Sequence, residues 1–64
     1  MFEWKKSTRT PNCYVLVIGH KRLDVWQTGE GWKWTVETEG NYTAYGLEQS
    51  LDAACEVALL VADE

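Results

Sequence analysis

Sixty-four residues allow one small domain, and 45% apolar content is too high for a solvated coil. The net charge is −4 and unevenly spread: residues 1–33 hold all six cations and sum to +3, while residues 34–64 hold none and sum to −7. This split argues against nonspecific DNA binding by the whole domain, which would favour a broad basic face.

A chain of this size buries roughly 60% of its unfolded surface, so its core is marginal without an added staple. Four Trp, three Tyr and one Phe supply much of the needed area, each burying on the order of 150–250 Å². Cys13 and Cys55 do not make a disulfide framework. A single bridge is possible, and two buried thiols in a reducing cytoplasm are expected. Met1–Lys6 lacks the long apolar run of a signal peptide, and no segment approaches the roughly 18 apolar residues of a membrane span. A soluble cytoplasmic protein with no membrane partner is the expectation.

Residues 1–11 read as an N-terminal arm, in which Phe2 and Trp4 alternate and Pro11 marks a boundary. Residues 12–47 read as antiparallel strands. Cys13–Ile18 is apolar on both faces and rich in β-branched residues, which suits a strand covered on both sides. Gly19-His20-Lys21 is a tight turn. In Arg22–Thr28, Leu23 and Val25 share one face, and Trp26 falls on the other with Arg22 and Asp24. Gly29-Glu30-Gly31 is a strong hairpin signal. Trp32–Glu39 alternates strictly, with Trp32, Trp34 and Val36 on one face and Lys33, Thr35, Glu37 and Glu39 on the other. Gly40-Asn41 makes another turn, and Tyr42–Leu47 forms a short fourth strand ending near Gly46.

A helix is expected over 48–62. Ser50 can accept the orphan amides of its first turn, and Asp52 suits its positive end. Leu51, Ala54, Cys55, Ala58 and Ala62 form a core-facing stripe of small residues. Val57, Leu60 and Val61 form a second apolar stripe that a single surface helix does not need. The predicted fold is α+β: a three- to four-stranded antiparallel meander sheet with one C-terminal helix packed on one face. The helix covers the Trp32/Trp34/Val36 side.

The strand meander followed by Gly46-x-Glu48-x-Ser50-Leu51-x-x-Ala54 and a small-residue helix resembles the N-terminal domain of HicB-type antitoxins. It is equally similar to small phage and prophage proteins with a W-x-W strand before such a helix start. Where HicB proteins carry a Pro-Asp-x-Pro-Gly segment, this chain has Glu39-Gly40-Asn41, and it has no match to their C-terminal DNA-binding domain. The resemblance implies the fold and a phage or mobile-element setting, and carries no function.

No enzymatic chemistry is expected. His20 is alone in a turn, without metal-ligand or nucleophile partners. Cys55 among alanines reads as core. Glu37 and Glu39 read as a solvated strand face, and the glycines are turn glycines with no helix after them to hold phosphate. No cofactor, metal or small-molecule substrate is inferred.

Two surfaces remain. An apolar patch is expected on the outer sheet face, formed by Trp26 with Tyr14, Leu16 and Ile18 or with Cys13, Val15 and Val17. With Val57, Leu60 and Val61 on the helix, it favours a homodimer or a protein partner. In particular, Trp26, Leu16, Ile18, Val57, Leu60 and Val61 are the partner-binding candidates. The alternative is a nucleic-acid-binding module that uses Trp4, Lys5, Lys6, Arg9, Lys21 and Arg22, with Lys33, as one basic face.

Overall fold

The computed structural model describes residues 3–63. It is an α+β fold of five strands and one helix: β1 (Lys5–Lys6), β2 (Cys13–Ile18), β3 (Lys21–Thr28), β4 (Gly31–Thr38), β5 (Asn41–Glu48) and α1 (Leu51–Ala62). The strands form one sheet in chain order, and every neighbouring pair is antiparallel. Two-residue connections from β2 to β5 force this meander, because hairpin turns leave consecutive strands nowhere to go but side by side.

The sheet has one strand more than the predicted maximum. The N-terminal arm contributes β1, which pairs Lys5 with Val15 and Lys6 with Tyr14 at the β2 edge. Beyond it, Pro11 lies in the exposed turn before β2, outside any ladder. Trp4 packs partly buried against the core. Phe2, its expected alternating companion, lies outside the described residues. The β4–β5 turn is made by Glu39 and Gly40, at φ 52° and 86°, one residue earlier than predicted. Two successive positive-φ residues match the right-handed twist of the flanking strands.

At the other end, β5 runs through Gly46 to Glu48, which pairs with Trp32. The helix therefore begins at Leu51, three residues after the expected start. Ser50 caps it: the Ala53 amide donates to Ser50 Oγ at 3.2 Å, and the Ala54 amide to the Ser50 carbonyl at 3.0 Å. No basic residue lies in the last helical turn. Lys21, on β3, supplies the cation instead, donating from Nζ to the Ala62 carbonyl at the negative helix end.

The helix crosses β3, β4 and β5. Its buried stripe is Ala54, Ala58 and Ala62, spaced four apart, so no bulky side chain holds the helix off the sheet. Beneath lie Leu23, Val25, Trp34 and Val36, all buried. The two-residue alternation of β4 does place Trp34 and Val36 under the helix, with Trp32 partly buried beside them. The Tyr14 and Trp32 rings meet at 6.3 Å between centroids, tilted by 40°.

A bulge interrupts the β4–β5 ladder. Val36 pairs with Ala44, but Glu37 pairs with Tyr42, so Thr43 is the extra residue. The Thr43 hydroxyl donates to the Val36 carbonyl at 3.3 Å and lies 3.2 Å from the Thr38 hydroxyl.

Candidate interaction face

Cross-strand register assigns every sheet residue to a face, because directly paired residues point the same way. Leu16, Leu23, Val36 and Ala44 form one row under the helix, and Tyr14, Val25, Trp34 and Gly46 form the next. Among the described residues no helix or second sheet covers the opposite face, although Thr10 of the β1–β2 loop reaches its edge. One of its rows is Val17, Arg22, Glu37 and Tyr42. The second is Val15, Asp24, Thr35 and Tyr45, extended at the edge by Lys5. The third is Cys13, Trp26, Lys33 and Leu47.

The face thus has a simple plan. Charged and polar groups from β3 and β4 occupy the middle. One margin is aliphatic, from β2; the other is Tyr42, Tyr45 and Leu47, from β5. Tyr42 is 71% exposed, Tyr45 74% and Leu47 44%. Between the margins, Thr35 is the least exposed residue of the face and Asp24 is half-buried. A shallow open trough runs across the face, with Thr35 on its floor and Trp26, Tyr42 and Tyr45 among its walls.

The charges in the middle balance, two cations against two anions. Arg22 Nε donates to Asp24 Oδ1 at 3.3 Å, the one ion pair among the described residues. Arg22 also lies directly opposite Glu37, and Trp26 directly opposite Lys33. The Asp24 side chain is only 16% exposed against 56% for Arg22, so the guanidinium keeps donors pointing outward.

Of the expected partner-binding residues, Trp26 is on this face, as alternation along β3 requires. Leu16 and Ile18 are not. They share the row parity of Leu23 and Lys21 and turn toward the helix side, with Leu16 buried at 8% exposure. Of the two open alternatives for β2, the structure takes Cys13, Val15 and Val17. Val57 and Val61 are less open than a free stripe would be. They flank the alanine stripe and pack partly buried against the core, so the fold itself uses most of the second helix stripe. Leu60 alone stays open, at 63% exposure. It meets Ile18 and Leu59 in a groove of about 340 Å³ beside the C-terminal end of α1, rimmed by Glu56 and Asp63.

The expected basic face does not assemble. Lys5, Arg22 and Lys33 belong to the outer face. Lys6 pairs with Tyr14 and faces the other way, Trp4 is packed on the core, and Lys21 is held at the helix end. Arg9 lies in the exposed loop between β1 and β2. An alternating strand cannot put consecutive cations such as Lys5 and Lys6, or Lys21 and Arg22, on one side.

Tyr42 and Tyr45 are the face residues that sequence reasoning passed over. Strict alternation puts residues three apart on opposite sides. The bulge at Thr43 brings both tyrosines to the same side, and no pattern in the residues marks it.

Neither thiol is activated by its surroundings. Burial pushes Cys13 up from its ordinary pKa, helped by Asp24 and opposed by Arg22. Burial and then Asp52 push Cys55 up. Both stay protonated at neutral pH. Among the described residues no three His, Cys, Asp or Glu side chains gather as a metal site, and no helix is long and apolar enough to cross a membrane. Comparison with protein-family models, curated proteins and solved structures returns no match.

Proposed function

We propose that this chain is a non-enzymatic interaction module that docks on a protein through the open face of its sheet. One observation carries the reading: a continuous uncovered face holds Trp26, two largely exposed tyrosines and an arginine. Trp, Tyr and Arg are the residue types that dominate binding energy at protein interfaces. The polar centre gives specificity, because a partner must match two charges of each sign, and the apolar margins supply the area.

Nucleic-acid binding is the weaker reading. Affinity for phosphates needs net positive charge, and this face is close to neutral on a chain of net charge −4. Its aromatics could stack bases, but no tract of cations lies beside them to hold a backbone. The phage or mobile-element setting rests on the resemblance to HicB-type domains alone. With it comes a cytoplasmic location.

Site-specific photo-crosslinking tests the reading. A benzophenone side chain replaces Tyr45, or Glu30 in the remote β3–β4 turn as a control, in the native host. Protein adducts at position 45 that are absent at position 30 are expected. If position 45 gives no protein adduct above the control, or only nuclease-sensitive adducts, the protein-docking reading is wrong.

A further inference from the structure

We propose that the partner of the open face is a second copy of the same chain, stacked sheet on sheet about a two-fold axis parallel to the strands and midway between β3 and β4. This deepens the docking reading above and rests on it. The support is self-complementarity of the face, read from the register.

A two-fold of this kind lays β3 of one copy over β4 of the other, and β2 over β5, row for row. Arg22 then faces Glu37 of the other copy, and Glu37 faces its Arg22. Trp26 faces Lys33 both ways, within reach of a cation–π contact. Asp24 faces the Thr35 hydroxyl, and these short side chains leave room for bridging water. On the margins, Val17 faces Tyr42, Val15 faces Tyr45 and Cys13 faces Leu47. Arg22 meets an anion and Lys33 a π face, each margin residue meets an apolar one, and Lys5 falls outside the overlap. No like charges meet.

The competing in-plane axis runs perpendicular to the strands. It would set Asp24 on Asp24 at the centre of the interface. The axis along the strands avoids this, so the charge pattern selects it. Twist rotates stacked sheets by roughly 30°. The pairs nearest the axis, Arg22–Glu37 and Trp26–Lys33, have long side chains that absorb the offset.

The size of the patch places the interface among small, weak ones. Four strands about 4.8 Å apart and six residues about 3.3 Å each project to roughly 400 Å². Even with side-chain relief this is at or below the roughly 800 Å² per partner of a standard interface. The dimer is therefore weak and reversible, in the micromolar range.

Sedimentation velocity on the intact chain, Arg22→Glu, Glu37→Arg and an equimolar mixture of the two variants tests both partner and axis. Wild type is expected to reach dimer mass by about 0.5 mM, well above a micromolar Kd. Each variant alone sets like charges face to face and stays monomeric. The mixture regains dimer mass, because each chain then presents the charge that the other lacks. Tyr45→Lys, at an exposed margin where folding is not at stake, is also monomeric. Thermal melts confirm that each variant is folded. A wild type that stays monomeric overturns the second-copy assignment, and a mixture that fails to dimerise when wild type does overturns the face and axis proposed for it. Heterologous adducts at position 45 with a monomeric wild type would leave the docking reading standing and remove only this inference.

Discussion

Gly46 is where the core has least room, and Gly46→Ala measures how tightly Trp34 is held. A methyl group at Gly46 would lie 2.6 Å from Trp34 Cζ2 and 2.7 Å from both Cε2 and Nε1. Ordinary contact begins at 3.4 Å, so the indole must retreat by about 0.8 Å. It has little space to do so. Trp34 is 5% exposed, wedged between β5 and the alanine stripe of the helix, and tethered by Nε1 donating to Glu48 Oε2 at 3.4 Å. Forcing one methyl into a packed core costs about 1–3 kcal/mol. Ala is favoured over Gly inside a strand by roughly 0.5–1 kcal/mol, which offsets part of that cost. A net loss of about 1 kcal/mol remains, or roughly 4–8 °C in Tm for a domain of this size. Thermal and urea unfolding followed by tryptophan fluorescence measure it. Trp34→Leu removes the ring atoms that clash, so a double-mutant cycle should give a coupling of about 1 kcal/mol between the two positions. If Gly46→Ala is as stable as wild type, or the two changes simply add, the close approach does not constrain the fold and the reasoning fails.

Further predictions concern the helix and the thiols. Ser50→Ala should cost about 1 kcal/mol in urea unfolding, because the Ala53 amide loses its cap, while Ser50→Asp should restore most of it. Ala58→Leu should destabilise by about 1–3 kcal/mol, since Ala58 is fully buried where the helix rests on the sheet. An unchanged Tm would mean that the helix rides higher than described. Lys21→Met should lower stability by about 0.5 kcal/mol through loss of the cation at the helix C-terminus, and this loss should shrink in high salt. Both thiols are raised in the folded state, so folding favours their protonated form. Stability should hold through neutral pH and fall once the pH exceeds the pKa of an unfolded thiol, because the unfolded chain then releases protons that the fold retains. Thiol labelling at pH 7 should accordingly be slower in the folded chain than in urea; equal rates would sink this account.

How much of this was legible in the residues depends on how local each signal is. The period of two in Trp32–Glu39 located β4 and its buried side, because alternation in a half-buried strand is a property of that strand alone. The hairpins and the alanine stripe were legible for the same reason. The strand count was not. β1 is two residues long and exists only by pairing with the β2 edge, so nothing in Lys5-Lys6 announces it. The face of β2 was equally hidden, since Cys13–Ile18 is apolar on both sides. Only the register with β3, where Leu16 meets the buried Leu23, decides that Leu16 goes inward. Val57 and Val61 looked superfluous on a helical wheel, but beside the alanine stripe they pack partly buried against the core as well.

The Thr43 bulge connects the fold to the proposed interface, and its removal separates two explanations for it. Thr43 has no partner on β4, while Ala44 stays opposite Val36 and Tyr42 opposite Glu37. Deleting Thr43 therefore leaves an uninterrupted ladder with Tyr42 still outside and Ala44 still inside. The chain should fold, losing only the Thr43 hydroxyl bonds and the extra local twist that a bulge adds. Deleting Thr35 instead, from the middle of β4, shifts every later residue to the opposite face and should abolish folding. If the bulge serves only to keep both tyrosines outward, the Thr43 deletion should retain docking. If its twist shapes the face, the deletion should fold normally and lose docking while Tyr42 and Tyr45 remain exposed. Amide exchange along β4 and β5 checks that the ladder has closed, and photo-crosslinking at position 45 reads the docking. A deletion that fails to fold would show that Thr43 holds the strand in register, against the pairing described here.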